Sequence, residues 1–228
     1  MNILVPKRRW WWLVLALLVG IVSPVIAPQL LAFPHREDIG AHRVYSVEPI
    51  TPAVRAAVIE ADRRVAVSPS GTFRDPDQPI FLTGGGWRWT WLAGNAQGGF
   101  AVTRAINEAI VFNRTDPVAA MVQNGAAIGG RRSLAGVVSH EMTHGALRAH
   151  FGFGADFTYP AELREGYCDY VAVEGSLSDT EALALQRRGQ FHPALIYWSG
   201  RKRIEAEMAR PGASVDRLFA EWTAGSGA

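Results

Sequence analysis

His140-Glu141-Met142-Thr143-His144 is an H-E-x-x-H motif. On a helix, residues i and i+4 stand one above the other on the same face, so His140 and His144 can offer two imidazoles to one metal ion. Glu141 lies beside them, where such sites keep a general base. Leu134, Val137, Val138, Met142, Ala146 and Leu147 make the stretch apolar enough for a mostly buried helix, with Ser133 as N-cap and Gly152 and Gly154 to end it. Further along, Glu165 and Asp169 form E-x-x-x-D on a second predicted helix, opened by Pro160 and closed by Gly175. Cys168 sits between Tyr167 and Asp169 and is the one cysteine of the chain, which excludes an internal disulfide framework. Its expected role is a buried packing thiol.

Two residues compete for third ligand. His150 fits the outline of H-E-x-x-H-x-x-G-x-x-H, but that pattern needs Gly at its eighth position to break the helix. Here Leu147 stands there. If the helix continues, His150 points roughly 120° away from the metal face and about 9 Å further along the axis. Glu165 has no such obstacle, since a second helix can bring it in.

The stretch from Ser133 to Val171 resembles the gluzincins, the thermolysin-like zinc peptidases. Their pattern is H-E-x-x-H, a gap like that of residues 145–164, then a ligand Glu with an Asp four residues later. The resemblance covers about 40 residues of the 228. It implies that His140, His144 and Glu165 bind Zn2+, that Glu141 is the catalytic base, and that Asp169 orients a ligand His. It also implies an α+β, zincin-like domain and a peptide or protein substrate. In that chemistry, zinc lowers the pKa of its water from about 16 to near 7, and Glu141 takes the proton as the water attacks a carbonyl. For a second oxyanion donor the chain offers Tyr159, His192 and Tyr197; Arg131 and Arg132 are candidates for a substrate carboxylate. The rival reading is a non-catalytic, membrane-tethered zinc-binding module with an interaction or assembly role.

Those residues need a scaffold, and the chain divides into three segments to supply it: 1–33, a membrane anchor; 34–50, an irregular linker; and 51–228, the metal-binding domain. Lys7, Arg8 and Arg9 precede Trp10-Trp11-Trp12 and an uncharged run to Pro34. The pattern predicts a single-pass anchor with the rest of the chain on the extracytoplasmic side. A signal peptide cut after Val25-Ile26-Ala27 is the alternative. Net charge is +2, and three of the 23 basic residues lie in the first ten positions, which leaves 20 against 21 acidic ones. A near-neutral domain carries no polyanion-binding face, so nucleic acid is not an expected partner.

Within the domain, Thr51 and Pro52 open a helix over 53–65, and 68–78 reads as a loop. Residues 80–83 form a short strand; Gly84-Gly85-Gly86 is a hairpin turn into a strand carrying Trp87, Trp89 and Trp91 on one face. Residues 99–103 and 109–113 are two more strands, the second being the expected substrate-aligning edge. Residues 117–123 form a short helix. After the metal helix the chain is helical: 179–188 behind a Ser178/Glu181 capping box, then 192–208 and 215–222. The result is a strand-rich upper lobe and an all-helical lower lobe.

Overall fold

The computed structural model describes the backbone of residues 7–73 and 78–225; the side chains of 7–9, 21 and 223–225 lie outside the description. α1 (Lys7–Ile26) comes first. Among the described residues no helix is long and apolar enough to cross a membrane. Lys7, Arg8, Arg9 and Ser23 take four of α1's 20 positions, leaving fewer apolar residues than the about 17–25 that a span needs. The single-pass anchor, the membrane as partner and the extracytoplasmic placement expected from the sequence are therefore withdrawn.

Residues expected as an irregular linker form a hairpin instead, β1 (His35–Ile39) and β2 (His42–Ser46), with Gly40 at positive φ in the turn. The sequence masks it because β1 is mostly charged, as suits the outer strand of a sheet. α2 (Pro52–Val67) starts as expected: the Thr51 hydroxyl accepts from the Val54 amide at 3.2 Å, and Pro52 fills the first turn. β3 (Ile80–Leu82) follows. The three glycines after it all have positive φ, and they lead into a helix, α3 (Gly86–Ala93), not a strand. Helical periodicity therefore replaces the expected shared face. Trp89 is buried, while Trp87 and Trp91 are exposed.

β4 (Ala101–Thr103) and β5 (Ile110–Phe112) complete a five-stranded mixed sheet of order β1-β2-β3-β5-β4. β2, β3 and β5 run parallel; β1 and β4 are antiparallel edges. The expected edge at 109–113 is thus internal, and β4 is the edge beside the site. Ile80 and Leu82 face the main core under α2, whereas Phe81 faces a second core with Trp89, Leu92 and Val111. Both faces of β3 are covered, which is why it reads as a continuous apolar run.

A three-stranded antiparallel sheet follows: β6 (Arg114–Asp116), β7 (Met121–Gln123) and β8 (Arg131–Ser133). The predicted helix at 117–123 is therefore a turn and a strand. Asp116 accepts the amides of Val118 and Ala119, and Ala120 adopts positive φ, which together bend the chain back on itself.

From here the chain is helical, as expected: α4 (Leu134–Phe151), α5 (Ala155–Thr158), α6 (Ala161–Ala172), α7 (Asp179–Arg187), α8 (Ala194–Met208) and α9 (Val215–Gly225). Ser178 and Glu181 form the predicted capping box. The architecture is a mixed sheet with helical lobes, without the transmembrane helix of the expected design among the described residues.

α6 is held in place by an unusually close approach to α8. A Cβ on Gly200 would lie 2.1 Å from the Glu162 carbonyl oxygen, and one on Gly166 would lie 2.6 Å from the Gly200 carbonyl carbon. Both obstacles are backbone, so a methyl group must push the helices apart. Gly200→Ala is expected to cost about 1–3 kcal/mol by overpacking. It should also weaken metal binding, because α6 carries half of the site described below. Urea denaturation together with zinc titration checks both; unchanged midpoints would show that the helices tolerate separation.

Candidate metal centre

Ser133 starts the metal helix twice over. Its hydroxyl accepts the Gly136 amide at 2.9 Å and donates to the Glu174 carboxylate at 2.7 Å. α4 then stays buried from Leu134 to Arg148 and ends at Gly152, whose amide caps the Arg148 carbonyl. His140 and His144 project from one face of it, with ring centroids 5.1 Å apart.

α6 crosses opposite that face. Glu165 and Cys168 stand one turn apart on α6, and so share a side. The ligand atoms of His140, His144 and Cys168 lie within 4.8 Å of one another. Glu165 Oε2 lies 3.3 Å from His140 Nε2 and 3.6 Å from His144 Nε2. Donors about 2.0–2.2 Å from one tetrahedral ion stand roughly 3.3–3.6 Å apart. The cluster could therefore hold a divalent metal ion.

Carboxylates and arginines stand behind the imidazoles. His140 Nδ1 donates to Asp169 Oδ1 at 2.7 Å, which leaves Nε2 for the metal. Asp169 is buried, and Arg132 Nη2 reaches the same oxygen at 2.9 Å. Arg132 also donates to the Glu174 carbonyl at 3.1 Å. His144 has a looser counterpart, with Nδ1 3.8 Å from Asp156 Oδ1. Arg148 steadies Asp156 at 2.7 Å and grips Glu108 at 2.9 and 2.6 Å. A cavity of about 350 Å³ opens in front, lined by β4, the two imidazoles, Glu141, Glu165 and Tyr197. Glu141 faces this same cavity, and its Oε2 accepts the hydroxyl of Thr103 on β4 at 2.6 Å.

Burial pulls the His140 imidazole down, but Asp169 and Glu165 outweigh it and push its pKa up to about 10. Burial pushes Glu165 up, and the two histidines hold it well below the usual carboxylate range. Burial, then the neighbouring carboxylates, raise the Cys168 thiol well above its ordinary value. A metal must therefore displace protons to bind. Protonated His140 competes with it at every pH below about 10. Apparent affinity should fall about tenfold per pH unit on going from pH 8 to pH 6 for each competing proton. Zinc titrations across that range check it, and a flat profile would show that neither His140 nor Cys168 gives up a proton on binding.

The other candidates fall elsewhere. His150 stacks on Phe73 with centroids 3.6 Å apart and reaches Asp216 at 2.5 Å. Tyr159 packs on Phe151 and Phe219. His192 Nδ1 accepts the Ala194 amide. Arg131 is exposed on β8, whereas Arg132, the other candidate for a substrate carboxylate, is buried behind the metal cluster. The sequence reading missed the place of Arg132 behind Asp169, and it missed Asp156, Thr103 and the placement of Cys168. Only the last had a signal, the three-residue spacing from Glu165.

No protein-family model matches this chain, and neither does any curated protein or solved structure. The resemblance to gluzincins thus gains no relative to support it. With Cys168 in the cluster, the grouped donors are His/His/Cys, not the His/His/Glu set with an open position expected of a thermolysin-like catalytic zinc. The zincin-like fold assignment and the zinc endopeptidase activity are corrected on that ground.

Proposed function

We propose that this chain is a non-catalytic metal-binding module whose ion, Zn2+, ties α4 to α6 and gives an interaction or assembly domain its shape. The observation that carries this reading is the thiol of Cys168 grouped with His140 and His144. In the proposal Glu165 is the fourth ligand, and Asp169 orients His140. Four protein ligands leave no open position for water, and closed, sulfur-containing sites are structural. Nitrogen, oxygen and thiolate donors around a tetrahedral point suit zinc better than magnesium or calcium. Glu141 stays outside the ligand set and fastens α4 to β4 through Thr103.

The test is metal content and hydrolysis measured on the same full-length preparations. The wild-type chain should hold one zinc per molecule and leave an unfolded protein substrate intact. Cys168→Ser should lower zinc affinity at least tenfold. Chelator-sensitive cleavage by the wild type would overturn the non-catalytic reading. Unchanged zinc affinity in Cys168→Ser would overturn the closed site.

A further inference from the structure

We propose that the cleft between α8 and α9 is a binding site for a small hydrophobic carboxylate, with Arg203 as its anion anchor. The cleft encloses about 210 Å³ and shares no lining residue with the metal cavity. An apolar cavity of about 150 Å³ takes a benzene-sized molecule, so this one suits a single ring or a short acyl chain. Its floor is apolar: Trp222 and Leu218 are buried and Met208 packs against the core.

Its rim carries three arginines, and they are not equivalent. Arg210 is paired with Glu207 at 2.5 Å and Arg217 with Glu221 at 2.6 Å. Arg203 is different: its Cζ lies 3.8 Å over the Trp222 ring, and among the described residues no carboxylate pairs with it. A guanidinium stacked on an indole keeps its N–H donors in its own plane, around its edge, where a carboxylate can accept two of them. The two glutamates neutralise the other two cations, so among the described residues the cleft carries one uncompensated positive charge above an apolar floor. That combination matches one negative charge on an apolar body. It disfavours a dianion, which would meet Glu207 and Glu221.

The probe is octanoate, titrated calorimetrically into the full zinc-loaded chain, with octan-1-ol as the uncharged control. Saturable one-to-one binding of octanoate is expected, at least tenfold tighter than octanol. Arg203→Met keeps an apolar stem over the indole and removes the charge. It should weaken octanoate at least tenfold and leave octanol unchanged. Ala213→Trp, which fills the cleft with Arg203 intact, should abolish both. Equal octanoate binding by wild type and Arg203→Met, or no saturation at millimolar octanoate, overturns the proposal. Glu165→Ala, which empties the proposed zinc site, should leave octanoate binding in place, so the two readings fail separately.

Discussion

His144→Ala should lower zinc affinity by more than about 100-fold, beyond the about 10–100-fold that loss of an outer partner costs. Both imidazoles converge on the same carboxylate oxygen of Glu165, at 3.3 and 3.6 Å, so deleting one opens the centre of the cluster. Glu165→Ala should be as severe in the proposed ligand set. His150→Ala should leave affinity nearly intact, because its ring is engaged by Phe73 and Asp216. The effect extends to stability. Metal at 100 times its dissociation constant stabilises a folded chain by about 2.7 kcal/mol, or about 5–11 °C in Tm for a chain of this size. The wild type should show that shift on adding zinc, and His144→Ala should not. A larger zinc loss in His150→Ala than in Glu165→Ala would reassign the third ligand.

Arg132→Ala should destabilise the fold by about 3–5 kcal/mol even without metal, the usual consequence of leaving a buried charge uncompensated. Asp169 is buried, and Arg132, itself buried, reaches it at 2.9 Å beside His140 at 2.7 Å. Burial pushes the Asp169 carboxyl up, but the Arg132 charge and His140 hold it below its usual value. A depressed carboxylate pKa contributes stability above the unfolded value of about 3.9, and that contribution is lost as pH falls through the folded pKa. Wild-type stability should therefore drop on acidification below about pH 4, and Arg132→Ala should drop less. The double variant Arg132→Met/Asp169→Leu removes both charges and should recover much of the stability while binding zinc poorly. That split separates the pair's structural role from its orientation of His140. Urea denaturation gives the numbers, and a cost under about 1 kcal/mol for Arg132→Ala would show that solvent reaches Asp169.

The sequence by itself determined the local parts. Ser133, Thr51 and Ser178 announce helix starts through hydroxyls that reach the amide three residues on, an interaction that needs no partner from elsewhere. The four-residue spacing of His140 and His144 fixes their shared face on any helix, and Leu147 kept that helix running so that His150 turns away. The helical half of the chain was legible for the same reason, since a 3.6-residue period is written within each segment.

The tertiary structure decided what depends on distant pairing. β1 is recognisable as a strand only beside β2, because its charged residues stand at a sheet edge. Trp87-Arg88-Trp89-Thr90-Trp91 alternates like a strand, yet it coils because only Trp89 of its three tryptophans finds a place in the second core. Arg132 reads as a surface cation until the chain brings Asp169 and Glu174 against it from about 40 residues away. The metal cluster has the same origin. Spacing supplies two imidazoles, but whether a carboxylate, a thiol or both face them is set by the angle at which α6 crosses α4. Gly166 and Gly200 let α6 lie against α8 at backbone distance, a contact that nothing near the histidines encodes.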